Sequence, residues 1–134
     1  MLKAREQEVS KYGITASQAS VLFVVKALGK WATPAELSRW LFQESQSIAG
    51  ILNRMEKQGL LKRVKDLEKK NQVRVVLTEK GREAFANASK RESMHKIMAV
   101  LPAEMRPQFI QSLTKILDAT LKYLGEIREM PFPY

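Results

Sequence analysis

The sequence predicts a mainly α-helical fold carrying one small β-hairpin: a helix-turn-helix with a hairpin wing behind its second helix, flanked by further helices. Three observations predict it. Ile48, Ile51, Leu52 and Met55 recur at three- and four-residue spacing, which marks one apolar stripe on a helix that Gly59 closes. A shorter helix ends just before it, at the break Phe42-Gln43-Glu44. Behind the pair, Val64 and then Val73, Val75 and Leu77 show the β-branched alternation of strands, on either side of a polar, lysine-rich loop. Helix, turn, helix and hairpin in that order make a winged helix-turn-helix.

The totals set bounds on the rest. With 134 residues, 45% of them hydrophobic, and no internal repeat, one compact domain is expected. Net charge is +9, and residues 45–80 hold nine Lys/Arg against four Asp/Glu, so over half the excess lies in that stretch. A basic segment in a folded domain points to nucleic acid or an acidic partner; a generally solvated basic surface is the plain alternative. The chain has no cysteine, which excludes a disulfide framework, a thiol switch and any zinc site built on thiolates. The longest apolar run, Val21-Leu22-Phe23-Val24-Val25, is far short of a membrane span, and no secretory leader opens the chain, so a cytoplasmic protein is expected. Neither a glycine-rich phosphate loop, nor paired carboxylates, nor a nucleophile–base signature is present, and the one histidine, His95, stands in a polar helix. No enzyme, cofactor or metal site is expected.

In chain order, residues 1–11 read as a short charged helix with Leu2, Val9 and the following Tyr12 as its buried positions; so short a helix must pack on something distant or on another subunit. Gly13 punctuates, and Thr15 caps a helix starting near Ala16. Ala19, Val21, Leu22, Val25 and Leu28, with Phe23 and Val24, make that helix the central buried one, and Gly29 ends it. Lys30-Trp31-Ala32 is too short for periodicity to assign. Thr33-Pro34-Ala35-Glu36 has the spacing of a capping box, with Pro34 where its missing donor is harmless, and Leu37, Trp40 and Leu41 follow on one side. Thr78 caps a helix expected to run through Ala84, Phe85 and Ala88 to Ile97-Met98 and to stop at Leu101-Pro102. The last helix carries Met105, Phe109, Ile110, Leu113, Ile116, Leu117, Leu121 and Leu124 on one stripe. The tail Met130-Pro131-Phe132-Pro133-Tyr134 does not continue it.

These pieces together resemble the MarR family of transcription regulators. The resemblance covers nearly the whole chain. It is carried by Tyr12-Gly13-Ile14-Thr15 with Gln18 and Val21-Leu22; by Pro34-Ala35-Glu36-Leu37; by residues 48–52 with Arg54-Met55-Glu56-Lys57 and Gly59-Leu60-Leu61-Lys62-Arg63; and by Asp66, twelve residues before Thr78, with Val75-Val76-Leu77-Thr78-Glu79-Lys80-Gly81. The resemblance implies one domain over residues 1–134, with residues 13–80 as the winged helix-turn-helix lobe and residues 1–12 and 81–134 as a helical dimerisation region. It further implies a homodimer, a pseudo-palindromic operator, repression, and a small aromatic effector bound between dimer region and lobe.

On this reading the second helix of the motif lies in the major groove. Ser45, Gln46, Ser47, Ala49, Gly50, Asn53, Arg54 and Lys57 are the residues expected at DNA, with Gln46, Ser47 and Asn53 meeting base edges or phosphates, and Arg54 and Lys57 phosphates. Arg54 has Glu44 and Glu56 as alternative partners. The amides at the start of the preceding helix, Pro34 excepted, are a further phosphate site. Lys65, Lys69, Lys70, Asn71 and Arg74 are the wing residues expected at the minor groove or backbone. Two departures from the family pattern matter: Ala49 and Gly50 stand where members often carry Thr and Arg, and Lys69 and Asn71 where the wing usually has Asp and Arg. Leu2, Val9, Phe109, Leu113, Ile116, Leu117, Leu121 and Leu124 are the expected dimer contacts, and Tyr12, Phe23, Trp31 and Met55 the expected walls of an effector pocket. The competing reading is a winged-helix protein–protein module with no defined operator, its basic surface meeting an acidic partner.

Overall fold

The computed structural model describes residues 1–66, 68–69 and 71–125. Its elements are α1 (Leu2–Ser10), α2 (Ala16–Leu28), α3 (Pro34–Leu41), α4 (Ser45–Lys57), β1 (Leu61–Lys65), β2 (Val73–Leu77), α5 (Glu79–Ala88), α6 (Glu92–Met98) and α7 (Arg106–Tyr123), with single 3-10 turns at Gly29–Trp31 and Ala103–Met105. The two strands pair antiparallel, Leu61 opposite Leu77 and Lys65 opposite Val73. This is the mainly helical winged helix-turn-helix expected. Among the described residues no helix is long and apolar enough to cross a membrane.

The capping chemistry is distributed differently from the sequence pattern. The full box forms at α2, where the Thr15 hydroxyl accepts from the Gln18 amide and the Gln18 side chain accepts from the Thr15 amide, both at 3.1 Å. At α3 only half is made: Thr33 Oγ1 accepts from the Glu36 amide at 3.2 Å, while the Glu36 carboxylate turns to Arg39. The helix expected from Thr78 to Met98 is two helices. Ser89 returns its hydroxyl to the Phe85 carbonyl, and Arg91 takes a left-handed φ of 47°, so α5 stops at Ala88 and α6 begins at Glu92. The three residues left unassigned by periodicity hold the sheet in place: the Ala32 carbonyl accepts from the Val75 amide at 2.8 Å, which ties the turn before α3 to β2.

The chain divides into two compact units at Arg91. The first contains α1 to α5 and the hairpin. Its core is Val9, Val21, Leu22, Leu37, Ile48, Leu52, Met55, Leu61 and Val75, each under 2% exposed; burying each such side chain stabilises the fold by about 1.5–3 kcal/mol. α1 packs on α2 and α5, and Arg5 seals the contact by donating to the Ala88 carbonyl at 2.6 Å while pairing with Glu8 at 3.0 Å. Only Val9 and Glu8 of α1 are buried; Leu2, expected inside, is 76% exposed. The second unit begins at Glu92 and holds α6 and α7. The expectation for residues 130–134 falls outside the described residues.

Candidate nucleic-acid interface

The helix α4 is fixed from beneath and open above. Ile48, Ile51, Leu52 and Met55 are at most 7% exposed and form its inner stripe. At about 100° per residue, the opposite ridge is Gln46, Gly50, Asn53 and Lys57, all exposed. Ser47 and Arg54 lie on one flank of that ridge, Ala49 and Glu56 on the other. A Cβ built on Gly50 meets nothing within 4 Å, so the ridge has a smooth place in its middle where backbone can approach a partner closely. The α3–α4 turn is three residues, with Phe42 in the left-handed region at φ 52°. At the N-terminus of α4 the cap is Glu44, whose side chain makes no capping bond, so the amides of Ser45, Gln46 and Ser47 take none from it. α3 offers less than expected, because Thr33 already occupies the Glu36 amide and Pro34 has no donor; Ala35 remains.

Electrostatics differ on the two flanks. On the hairpin side, Glu56 pairs with Arg63 at 3.4 Å and accepts its backbone N–H at 3.0 Å, and Arg63 Nη2 donates to Asn53 Oδ1 at 2.6 Å. Glu56 is thus taken by Arg63, which the sequence reading had not placed at the site, and not by Arg54. The pair is separated by seven residues across the Gly59 turn, so no helical spacing announces it. On the other side an open groove of about 660 Å³ is lined by Glu6, Gly13, Thr15, Ser17, Gln18, Ile51, Arg54, Lys57 and Gln58. Within that cluster the Glu6 carboxylate accepts from the Ala16 amide at 2.7 Å, and the buried Gln18 donates to Gln58 Oε1 at 2.8 Å, which joins the start of α2 to the end of α4.

The wing is shaped by Asp66. Its carboxylate accepts from the amides of Glu68 at 2.9 Å and Lys69 at 3.4 Å, and Asn71 turns the chain with a φ of 71°. The Glu68 amide bond, with the Lys69 amide and the charges of Arg74 and Lys69, holds the Asp66 carboxyl below its ordinary range. Arg74 faces Asp66 across 3.7 Å, an ion pair too long for a hydrogen bond, at the loop end of the hairpin, where Arg74 stands opposite Val64. Lys65, Lys69 and Asn71 are exposed, while Lys70 lies outside the described residues. The ammonium of Lys69 rests 5.3 Å from the centre of the Trp31 ring, with Lys30 at 5.0 Å.

The expected effector quartet does not assemble. Met55 is wholly buried core. Trp31 is 58% exposed beside the wing. Tyr12 and Phe23 alone come to one neighbourhood, the end of α5, where Lys90 approaches Tyr12 and Arg91 lies 4.4 Å over Phe23, itself edge-on to Phe85. None of the four lines the groove beside α4.

A MarR family model matches residues 12–75, from the break before α2 to the middle of β2. The organohalide-sensing transcriptional regulator RdhR-CbdbA1625, in a form bound to 2,4-dichlorophenol, superimposes with a TM-score of 0.81 over 98% of this chain and 80% of its own, at 30% identity. The chain belongs to the MarR family. Its members are transcription regulators, not enzymes. The same MarR fold recurs in S. aureus MepR in complex with DNA (TM-score 0.75, 20% identity, 87% of this chain and 88% of that one). It recurs again in a Cys-to-Ser mutant of MarR from E. coli complexed with operator DNA (0.76, 23%, 86% and 84%). No curated protein sequence matches the chain.

Proposed function

We propose that this MarR-family regulator is a homodimeric, sequence-specific double-stranded DNA-binding repressor of a pseudo-palindromic operator, with α4 in the major groove. The observation that carries the reading is the α4 ridge: Gln46, Gly50, Asn53 and Lys57 exposed together above a fully buried apolar stripe. That is the surface of a reading head, and none of the described residues buries it. Lys65 and Lys69 on the wing add phosphate contacts, and each neutralised phosphate contributes a slope of roughly −0.9 to log K against log salt. DNA complexes of MepR and of E. coli MarR, which share the fold, support this docking.

The dimer half of the reading is supported by α7. Phe109, Ile110, Leu113 and Ile116 along it, with Leu124 at its C-cap, are 41–63% exposed, an apolar face that favours a partner over water. Of the expected contact set, Leu2, Phe109, Leu113, Ile116 and Leu124 are exposed, Leu117 is half-buried, and Val9 and Leu121 are buried. The effector half is release by a small aromatic compound at Tyr12 and Phe23. It is supported by the 2,4-dichlorophenol-bound form of the 30%-identical relative and by the salicylic acid complex of the M. tuberculosis MarR family protein Rv2887.

The test is selection of bound fragments from a random DNA library by the purified protein, followed by affinity measurements across salt. A two-fold symmetric motif, bound far more tightly than scrambled DNA, is the expected result. Equal binding to every fragment would leave the winged-helix protein–protein module standing in its place.

A further inference from the structure

Asn53 stands on the outward ridge of α4 with half of its amide already engaged. Arg63 Nη2 donates to Asn53 Oδ1 at 2.6 Å. The guanidinium is itself held, since Nη1 lies 3.4 Å from Glu56 Oε2, and Glu56 Oε1 fixes the Arg63 backbone at 3.0 Å. The orientation of an asparagine amide is ordinarily ambiguous. Here it is fixed by chemistry: a guanidinium carries donors only, so the amide atom facing it is the oxygen. The amide group is planar, and its NH₂ is therefore turned to the side away from Arg63.

We propose that Arg63, braced by Glu56, is a positioning residue that locks Asn53 as a donor-only reader of base edges. The proposal rests on the reading that α4 enters the major groove. A free asparagine pairs with adenine by donating to N7 while accepting from the N6 amino group, which needs both amide atoms on the base side. With Oδ1 drawn toward Arg63, the base side of Asn53 offers N–H groups alone. Guanine presents two acceptors, N7 and O6, on the same edge, whereas adenine sets its own N–H donors against those of the amide. The clamp thus turns the residue type best suited to adenine into a selector for guanine.

The experiment is fragment selection from a random DNA library with the wild-type protein, Arg63→Ala and Asn53→Asp, each first shown by circular dichroism to be folded. In the wild type, guanine is expected at the two symmetry-related positions that respond to Asn53→Asp. The aspartate keeps its pairing to Arg63 but turns an acceptor outward, so guanine is lost there and cytosine, whose N4 donates, is gained. Arg63→Ala frees the amide to rotate, and the ratio of guanine to adenine at those positions falls about tenfold, as for the loss of one discriminating contact. Adenine at those positions in the wild type overturns the clamp without any need for the Arg63 variant. A guanine preference identical with and without Arg63 also overturns it, while the DNA reading survives. A wild type that enriches no motif overturns the DNA reading and the clamp with it.

Discussion

Replacing Gly81 by alanine tests how the hairpin and α5 are joined. Gly81 is the third residue of α5, and a Cβ built there falls 1.8 Å from the Leu60 carbonyl oxygen and 2.9 Å from its carbon. Both are backbone atoms at the start of the hairpin, so no side chain can swing aside to make room. Relief requires the first turn of α5 to lift away from residues 59–60. Two hydrogen bonds cross that contact: the Thr78 amide to the Leu60 carbonyl at 3.1 Å and the Thr78 hydroxyl to the Gly59 carbonyl. At about 1 kcal/mol each, their loss destabilises by about 2 kcal/mol. Alanine's helix preference over glycine returns about 1 kcal/mol. The net is about 1 kcal/mol, which for a chain of this length lowers Tm by about 4 °C. Calorimetry or thermal circular dichroism reads it directly. A Tm equal to or above that of the wild type would refute the reasoning, since without the close approach the substitution stabilises.

Further outcomes follow from other contacts. Gln18 is 4% exposed and donates to Gln58; Gln18→Ala is expected to destabilise by about 1–3 kcal/mol, and a double-mutant cycle in urea with Gln58→Ala should show coupling of about 1 kcal/mol. Asp66 has its folded pKa lowered, so its contribution to the wing is complete above its unfolded value of 3.8 and is lost as pH falls through the folded value; amide exchange at Glu68 and Lys69 should accelerate, relative to core amides, only on that acid side. Leu113 and Ile116 are 49% and 63% exposed; changing both to Glu is expected to yield monomers by sedimentation velocity with the helical signal retained.

Much of the fold was legible because its signals are local. The stripe Ile48, Ile51, Leu52 and Met55, the stop at Gly59 and the β-branched alternation of Val73, Val75 and Leu77 each follow from a few neighbouring residues, and they position α4 and the wing. What was hidden depends on residues far apart in sequence. The Ala32–Val75 hydrogen bond ties together residues that no period relates. The break at residues 89–91 lies inside a pattern that reads as continuous helix, and its signal, Ser89 returning to the Phe85 carbonyl, is a side-chain choice that composition does not force. Val9 looked interfacial because α1 is too short to stand alone; α2 and α5 supply its packing from within the same chain.

The candidate site divides the same way. Exposure of Gln46, Gly50, Asn53 and Lys57 was readable from the helical wheel. Their partners were not: Arg63 reaches Asn53 over ten residues, and Arg74 pairs with Asp66 over eight. The aromatic quartet failed for a related reason, since Met55 and Trp31 satisfy ordinary packing and cation–π contacts at separate places.

The central claim is that α4 reads DNA sequence in the major groove. It is tested most directly by fluorescence anisotropy on the best selected fragment and on its scrambled counterpart, from about 50 to 200 mM salt, a range over which phosphate contacts alone change affinity by orders of magnitude. The account predicts log K falling linearly with log salt for both fragments, with the selected one bound at least about a thousandfold tighter at every salt. Parallel lines that coincide, with no preference for the selected fragment, would contradict it.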